Sequence, residues 1–220
     1  MDSVLASSTH SRRTLSPLVA GVDEAGRGCL AGPVVAACVV LPHDAIVDDG
    51  KATWLILPSF IRDSKQLSPV QREEACRWIY RHALVVSVGL ATVEEIERLN
   101  ILQATLLAMK RAVVRSSLPL QRALVDGSHV PDGLPCCVEA VVDGDERVPV
   151  ISAASIVAKV VRDHLMERMH RLFPQYGFAQ HKGYGTVQHR RAIEQFGLCP
   201  QHRPSFCKKM LRLPLESTCG

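Results

Sequence analysis

Two adjacent carboxylates end an apolar run in Val22-Asp23-Glu24-Ala25-Gly26-Arg27-Gly28, and a second apolar run, Val34 to Leu41, follows within a few residues. Both runs are β-rich and the segment between them is short. They predict an antiparallel hairpin with the acid pair near the tip of its first strand. Neighbouring buried acids resist desolvation and repel each other unless a cation sits between them, and a divalent metal is the usual solution. The Gly-Arg-Gly that follows lets backbone approach a ligand closely and places one permanent cation beside it. Acid pair and glycine-flanked arginine together point to a metal site facing a phosphate; the alternative is a tight turn with solvated charges.

The same glycines invite comparison with a dinucleotide-binding loop, since Gly26, Gly28 and Gly32 follow a strand. Such a loop must open a helix, whereas Pro33 and the β-branched residues after it predict a second strand. Carboxylates just before the turn would also repel a pyrophosphate.

A chain of 220 residues, 47% hydrophobic and 22% charged, can bury one sizeable globular core. No apolar run reaches the ~18 residues of a membrane span, so no membrane association is expected. Residues 1–16 are rich in Ser, Thr and Arg without a secretory hydrophobic segment, and read as a flexible tail. With no export signal, the eight cysteines are expected to be reduced and the protein cytoplasmic. Cys199, His202 and Cys207 loosely suggest a zinc knuckle but lack a fourth ligand nearby. The net charge is +4, unevenly spread. Lys182, Arg190, Arg191, Arg203, Lys208, Lys209 and Arg212 face a single acid, Glu194, between residues 181 and 212. That stretch is either a phosphate-tracking patch or a solvated helical face.

Along the chain, Pro42 to Arg62 reads as a surface excursion. Ser68, Pro69 and Gln71 mark a capping box that opens a helix running to about His82. Leu84 to Ala91 reads as a strand, with a second capping box at Thr92 and Glu95. A helix from Asn100 should bury Leu102, Leu106, Met109 and Val113, ending before Leu118-Pro119. Arg122 to Val125 and Cys137 to Val142 read as strands. Pro149 opens a helix with Ile151, Ala154, Ala158, Val161, Leu165 and Met169 on one stripe, and a last helix runs from Thr186 to Gly197. Strands and helices mix without strict alternation, which predicts an α/β domain with a mixed sheet.

Asp23 and Glu24, Asp126 and Asp145 each stand at or just past the end of an apolar strand. Strand ends gather on one edge of an α/β sheet, where ligand sites form. Four carboxylates there suit hard divalent cations and a phosphodiester substrate. Asp143 and Glu146 crowd the same turn as Asp145, so any of the three could be the ligand.

These stretches carry a resemblance. Gly21 to Gly28 (GVDEAGRG), Ala31 to Val35 (AGPVV), Asp63 to Ser68 (DSKQLS), Leu124 to Gly127 (LVDG), Val148 to Val160 (VPVISAASIVAKV) and Phe173 to Thr186 (FPQYGFAQHKGYGT) together resemble ribonuclease HII, the type 2 ribonuclease H. The match spans about residues 18 to 212. It implies a ribonuclease H-like α/β fold, a mixed five-stranded sheet flanked by helices with extra C-terminal helices, occupying residues 17–212, with 213–220 a tail. It also implies a monomeric endonuclease, dependent on Mn²⁺ or Mg²⁺, that cuts the RNA strand of RNA–DNA hybrids by a metal-activated water. Incision at ribonucleotides embedded in duplex DNA, leaving 5′-phosphate and 3′-hydroxyl ends, belongs to the same expectation.

By position, the resemblance implies Asp23, Glu24, Asp126 and Asp145 as metal ligands. Gly26, Arg27, Gly28 and Tyr184 would read the 2′-hydroxyl, the one group that separates ribose from deoxyribose. Where the family often carries Lys-Gly-Asp, this chain has Asp143-Gly144-Asp145. Ser64 and Lys65 could hold a backbone phosphate, or simply precede a helix. Ser155 and Lys159, one turn apart, could form a nucleophile pair, but Ser155 sits among alanines and reads as helix packing. His129, His181 and His189 are given structural or surface roles. Two other functions stay open: another metal nuclease of the superfamily, such as an exonuclease or junction resolvase, and a non-catalytic hybrid-binding module.

Overall fold

The computed structural model describes residues 18–42, 47–48, 51–52, 61, 64 and 67–211. The tails expected at 1–16 and 213–220, and Lys65, lie outside the described residues.

In chain order the elements are β1 (Val19–Ala25), β2 (Val34–Val40), a two-residue hairpin β3 (Val47–Asp48) and β4 (Lys51–Ala52), α1 (Pro69–His82), β5 (Val85–Ala91), α2 (Val93–Leu99), α3 (Ile101–Val114), β6 (Arg122–Asp126), β7 (Cys137–Val141), α4 (Gly144–Arg147), α5 (Pro149–Leu172), α6 (Phe178–His181), α7 (Val187–Phe196) and α8 (Pro204–Leu211). β1 and β2 form the predicted antiparallel hairpin, with Asp23 opposite Ala37 and Glu24 opposite Ala36. β5 continues antiparallel beside β2, while β6 and then β7 add parallel to β1. The result is a mixed five-stranded sheet in the order β5-β2-β1-β6-β7.

Alternation along the central hairpin divides the core. Ala20, Val22, Val34, Ala36, Cys38 and Val40 face α3, and Ala37 and Val39 face α1 and α5. All seven residues of β2 are therefore buried, as a strand covered on both faces must be. Both capping boxes form as predicted, Ser68 with Gln71 at α1 and Thr92 with Glu95 at α2.

Three expectations need correcting. The buried face of α3 is Ala104, Thr105, Ala108, Met109, Ala112 and Val113; Leu102 and Leu106 are only partly covered. Small residues face the sheet because helix and strand approach closely there. A Cβ at Gly89 would come within 2.2 Å of the Ala108 carbonyl oxygen. The helix from Thr186 is also not the last, since α8 follows it, opened by Pro204. Arg203, counted with the basic surface stretch, is wholly buried.

The N-terminus of α5 packs as tightly on β1. A Cβ at Gly21 would lie 2.2 Å from both the carbonyl carbon and the oxygen of Val150, so either backbone must move. Gly21→Ala should cost about 3 kcal/mol or more. A urea titration with a midpoint unchanged from the parent would refute that packing.

Candidate active site

Because β1, β6 and β7 run parallel, their C-terminal ends open onto one rim. Val22 pairs with Val125, which sets Asp23 and Asp126 side by side one residue further on. After β7 the chain turns through Asp143, in the left-handed region at φ 53°, and enters the single turn of α4. Asp126 organises that turn: its Oδ1 accepts from the Gly144 N–H at 2.8 Å and from the Asp145 N–H at 3.3 Å. Asp145 is buried on the inner side of the turn, and Asp143 is exposed.

The four carboxylates line one open cleft of about 290 Å³ together with Gly26, Arg27, Gly28, Ser64 and Tyr184. These nine residues therefore meet there, whereas Asp143 and Glu146, the rival acids of the turn, do not line the cleft. Arg72, Ser155 and Lys159 line it too, and Arg72 was not singled out at all. Arg72 donates to the carbonyls of Ser64 and Leu67, tying α1 to the segment before it. The i, i+4 spacing of Ser155 and Lys159 was the signal available for the other two. They do not act as a pair, since Ser155 meets the Ser64 hydroxyl at 2.9 Å and Lys159 meets Asp163 at 2.7 Å. His129 lies exposed against Ser128, and neither it nor the Cys199, His202, Cys207 trio lines this cleft.

The acids are electrostatically uncomfortable. Burial, with Glu24 and Asp126 close by, pushes the Asp23 carboxyl well above the usual range, and a hydrogen bond from Ser155 only partly offsets this. Burial raises Glu24 as well; Arg27 draws it back and Asp126 adds to the rise. Arg27 is half exposed and 3.5 Å from Glu24, too loose to neutralise the group. Among the described residues no group of three or more His, Cys, Asp or Glu side chains stands as placed to hold a metal ion. An all-oxygen donor set, in which burial raises the Asp23 and Glu24 carboxyls above their usual range, fits a hard divalent ion.

The opposite wall is built from backbone. Gly26 has φ +98°, and a Cβ there would collide with the Arg162 guanidinium, 2.0 Å from Nε. Arg162 is fully buried and donates to the carbonyls of Ala31, Pro33 and Lys182. Leu30 N–H donates to Gly183 O at 2.9 Å, stitching this loop to the segment that carries Tyr184. Tyr184 is 43% exposed and lines the cleft, with Lys159 Nζ 5.6 Å from its ring centroid.

Beneath Tyr184 lies a file of neutral histidines. The Cys199 N–H donates to His202 Nδ1, which leaves the proton on Nε2 to donate to His189 Nε2 at 3.1 Å. His189 Nδ1–H then donates to the Tyr184 carbonyl at 2.9 Å. Burial holds both His189 and His202 down at about 4. A folded-state pKa below the ordinary 6.5 means the unfolded chain takes up protons first as pH falls. This contribution to stability is complete above about pH 6.5 and is lost between there and about pH 4, on the order of 3 kcal/mol for one such imidazole. Thermal melts at pH 7.5 and 5 should show the loss, with a shallower fall in His202→Gln; equal slopes would refute the reading.

Comparison with known proteins agrees with this architecture. The family model for ribonuclease HII matches residues 20–209. The ribonuclease HII of Microcystis aeruginosa is 51% identical over 207 residues, 92% of this chain and 95% of that one. The crystal structure of ribonuclease H2 from Pyrococcus horikoshii superposes with a TM-score of 0.68 at 27% identity, covering 87% of this chain and 96% of that one. RNase HII of Archaeoglobus fulgidus, solved in complex with PCNA, gives 0.67 at 27% identity, covering 84% and 93%. A match along nearly the whole described chain, running through the acid-bearing strands, the glycine loop and the Tyr184 segment, places this protein in the ribonuclease HII family.

Proposed function

We propose that this chain is a divalent-metal-dependent endoribonuclease that hydrolyses the RNA strand of RNA–DNA hybrids and nicks duplex DNA at embedded ribonucleotides. The observation that carries this is the cleft itself: four carboxylates on one wall and the Gly26-Arg27-Gly28 loop with Tyr184 on the other, in a ribonuclease HII chain.

Asp23, Glu24, Asp126 and Asp145 would hold Mn²⁺ or Mg²⁺. Bound divalent ions would lower the pKa of the attacking water and stabilise charge on the leaving oxygen, giving 5′-phosphate and 3′-hydroxyl ends. The protein positions the scissile bond. Exposed backbone at Arg27 and Gly28 meets the ribose 2′-hydroxyl, and the Tyr184 ring packs on the sugar while its phenol offers a donor. Ser64 and Arg72, held together by hydrogen bonds, border the path of the neighbouring phosphate. Lys65 belongs to the same assignment by its place in sequence. Among the described residues no helix is long and apolar enough to cross a membrane. The monomeric state and cytoplasmic setting expected from sequence form part of this proposal.

A DNA duplex with one ribonucleotide should be nicked on the 5′ side of that residue in Mn²⁺ or Mg²⁺, with activity falling at least ~10³-fold in excess chelator. Degradation from the ends would favour an exonuclease, and tight binding without cutting would favour a non-catalytic module.

A further inference from the structure

The Gly26-Arg27-Gly28 loop owes its shape to a residue from the far end of the chain. Arg203 is 0% exposed and spends its guanidinium on three backbone carbonyls. Nη2 donates to Gly26 O at 2.8 Å and to Gly32 O at 2.7 Å, Nη1 to Arg27 O at 2.9 Å, and Nε to Gly32 O at 3.0 Å. Its own N–H donates to Leu30 O at 2.8 Å, and the Phe206 ring lies 5.2 Å from its Cζ.

In a trans peptide the C=O and the next residue's N–H point in opposite directions. Drawing the Gly26 and Arg27 carbonyls inward onto Arg203 therefore turns the N–H groups of Arg27 and Gly28 away from the core. Those two residues are exposed and line the cleft. We propose that Arg203 is the positioning residue for ribose recognition: its planar fork locks the loop carbonyls inward so that the Arg27 and Gly28 amides face the 2′-hydroxyl. This rests on the loop assignment made above. Lysine cannot substitute, because one ammonium has no fixed fork with which to hold Gly26, Arg27 and Gly32 at once.

The test is a binding ratio, measured by fluorescence anisotropy in Mg²⁺ with all proteins carrying Asp23→Asn so that cutting is slow. The ratio compares a duplex bearing one ribonucleotide with the matched all-DNA duplex. An unfolded fraction scales both affinities alike and leaves the ratio unmoved, so a purely structural defect does not mimic the effect. The parent should prefer the ribonucleotide duplex at least tenfold, and Arg203→Lys should bring this below threefold. Arg203→Gln serves the same purpose if the lysine variant does not fold. Gly28→Ala, whose Cβ meets nothing within 4 Å, blocks the loop surface without disturbing the protein and should also fall below threefold. An unchanged ratio in Arg203→Lys alongside a lowered one in Gly28→Ala overturns the role of Arg203 alone. An unchanged ratio in both, or no preference in the parent, overturns the loop assignment and this proposal with it.

Discussion

Asp23→Asn is expected to lower the nicking rate by about 10³-fold while making the metal-free protein more stable. The loss follows from removing a carboxylate from the wall proposed to hold the divalent ions, where several kcal/mol of charge stabilisation converts to three decades of rate. The gain follows from burial: Asp23 is 4% exposed and its carboxyl is pushed well upward by desolvation, Glu24 and Asp126. A raised folded-state pKa means the native form holds its proton longer than the unfolded chain. The parent's stability therefore falls as pH rises from about 4 through that raised value. An amide carries no such charge, so the variant's advantage should open across the same interval and persist at neutral pH. Added Mn²⁺ should close the gap by stabilising the parent more than the variant. Thermal melts with and without metal decide it, and a metal-free variant less stable than its parent at pH 8 would contradict the account.

Asp145→Asn should cost about 10³-fold in turnover, while Asp143→Asn should cost less than about threefold. The two acids are separated by one glycine in sequence but differ in setting. Asp145 is buried and lines the cleft, its N–H donating to Asp126, whereas Asp143 is exposed in a left-handed conformation that asparagine also tolerates. Single-turnover rates on the one-ribonucleotide duplex are the measurement. Comparable losses in both variants would break the assignment of Asp145.

The parts legible in sequence were those encoded by neighbours. The hairpin announced itself through two β-rich runs around a glycine loop, and α1 and α2 through Ser68-Gln71 and Thr92-Glu95, pairs only three residues apart. Asp126 could be suspected because strand and turn are written side by side. What stayed hidden depends on close approach between distant segments. The buried face of α3 follows Ala104, Ala108 and Ala112, chosen by the proximity of β5 rather than by hydrophobicity, so the leucine stripe misled. Arg162 and Arg203 look like surface cations, and nothing local marks a guanidinium that will be buried under backbone carbonyls. Arg72 was missed for the same reason, its partners being carbonyls with no identity in the sequence.

The hydrogen bond from Arg203 to Gly26 spans 177 positions. During synthesis the strands bearing Asp23 and Asp126 emerge first, yet the Gly26-Arg27-Gly28 loop cannot take its final shape until residues 202 to 207 have left the ribosome. A nascent chain thus carries its acids before the segment that shapes the glycine loop beside them, and the cleft is complete only once Arg203 has folded onto that loop.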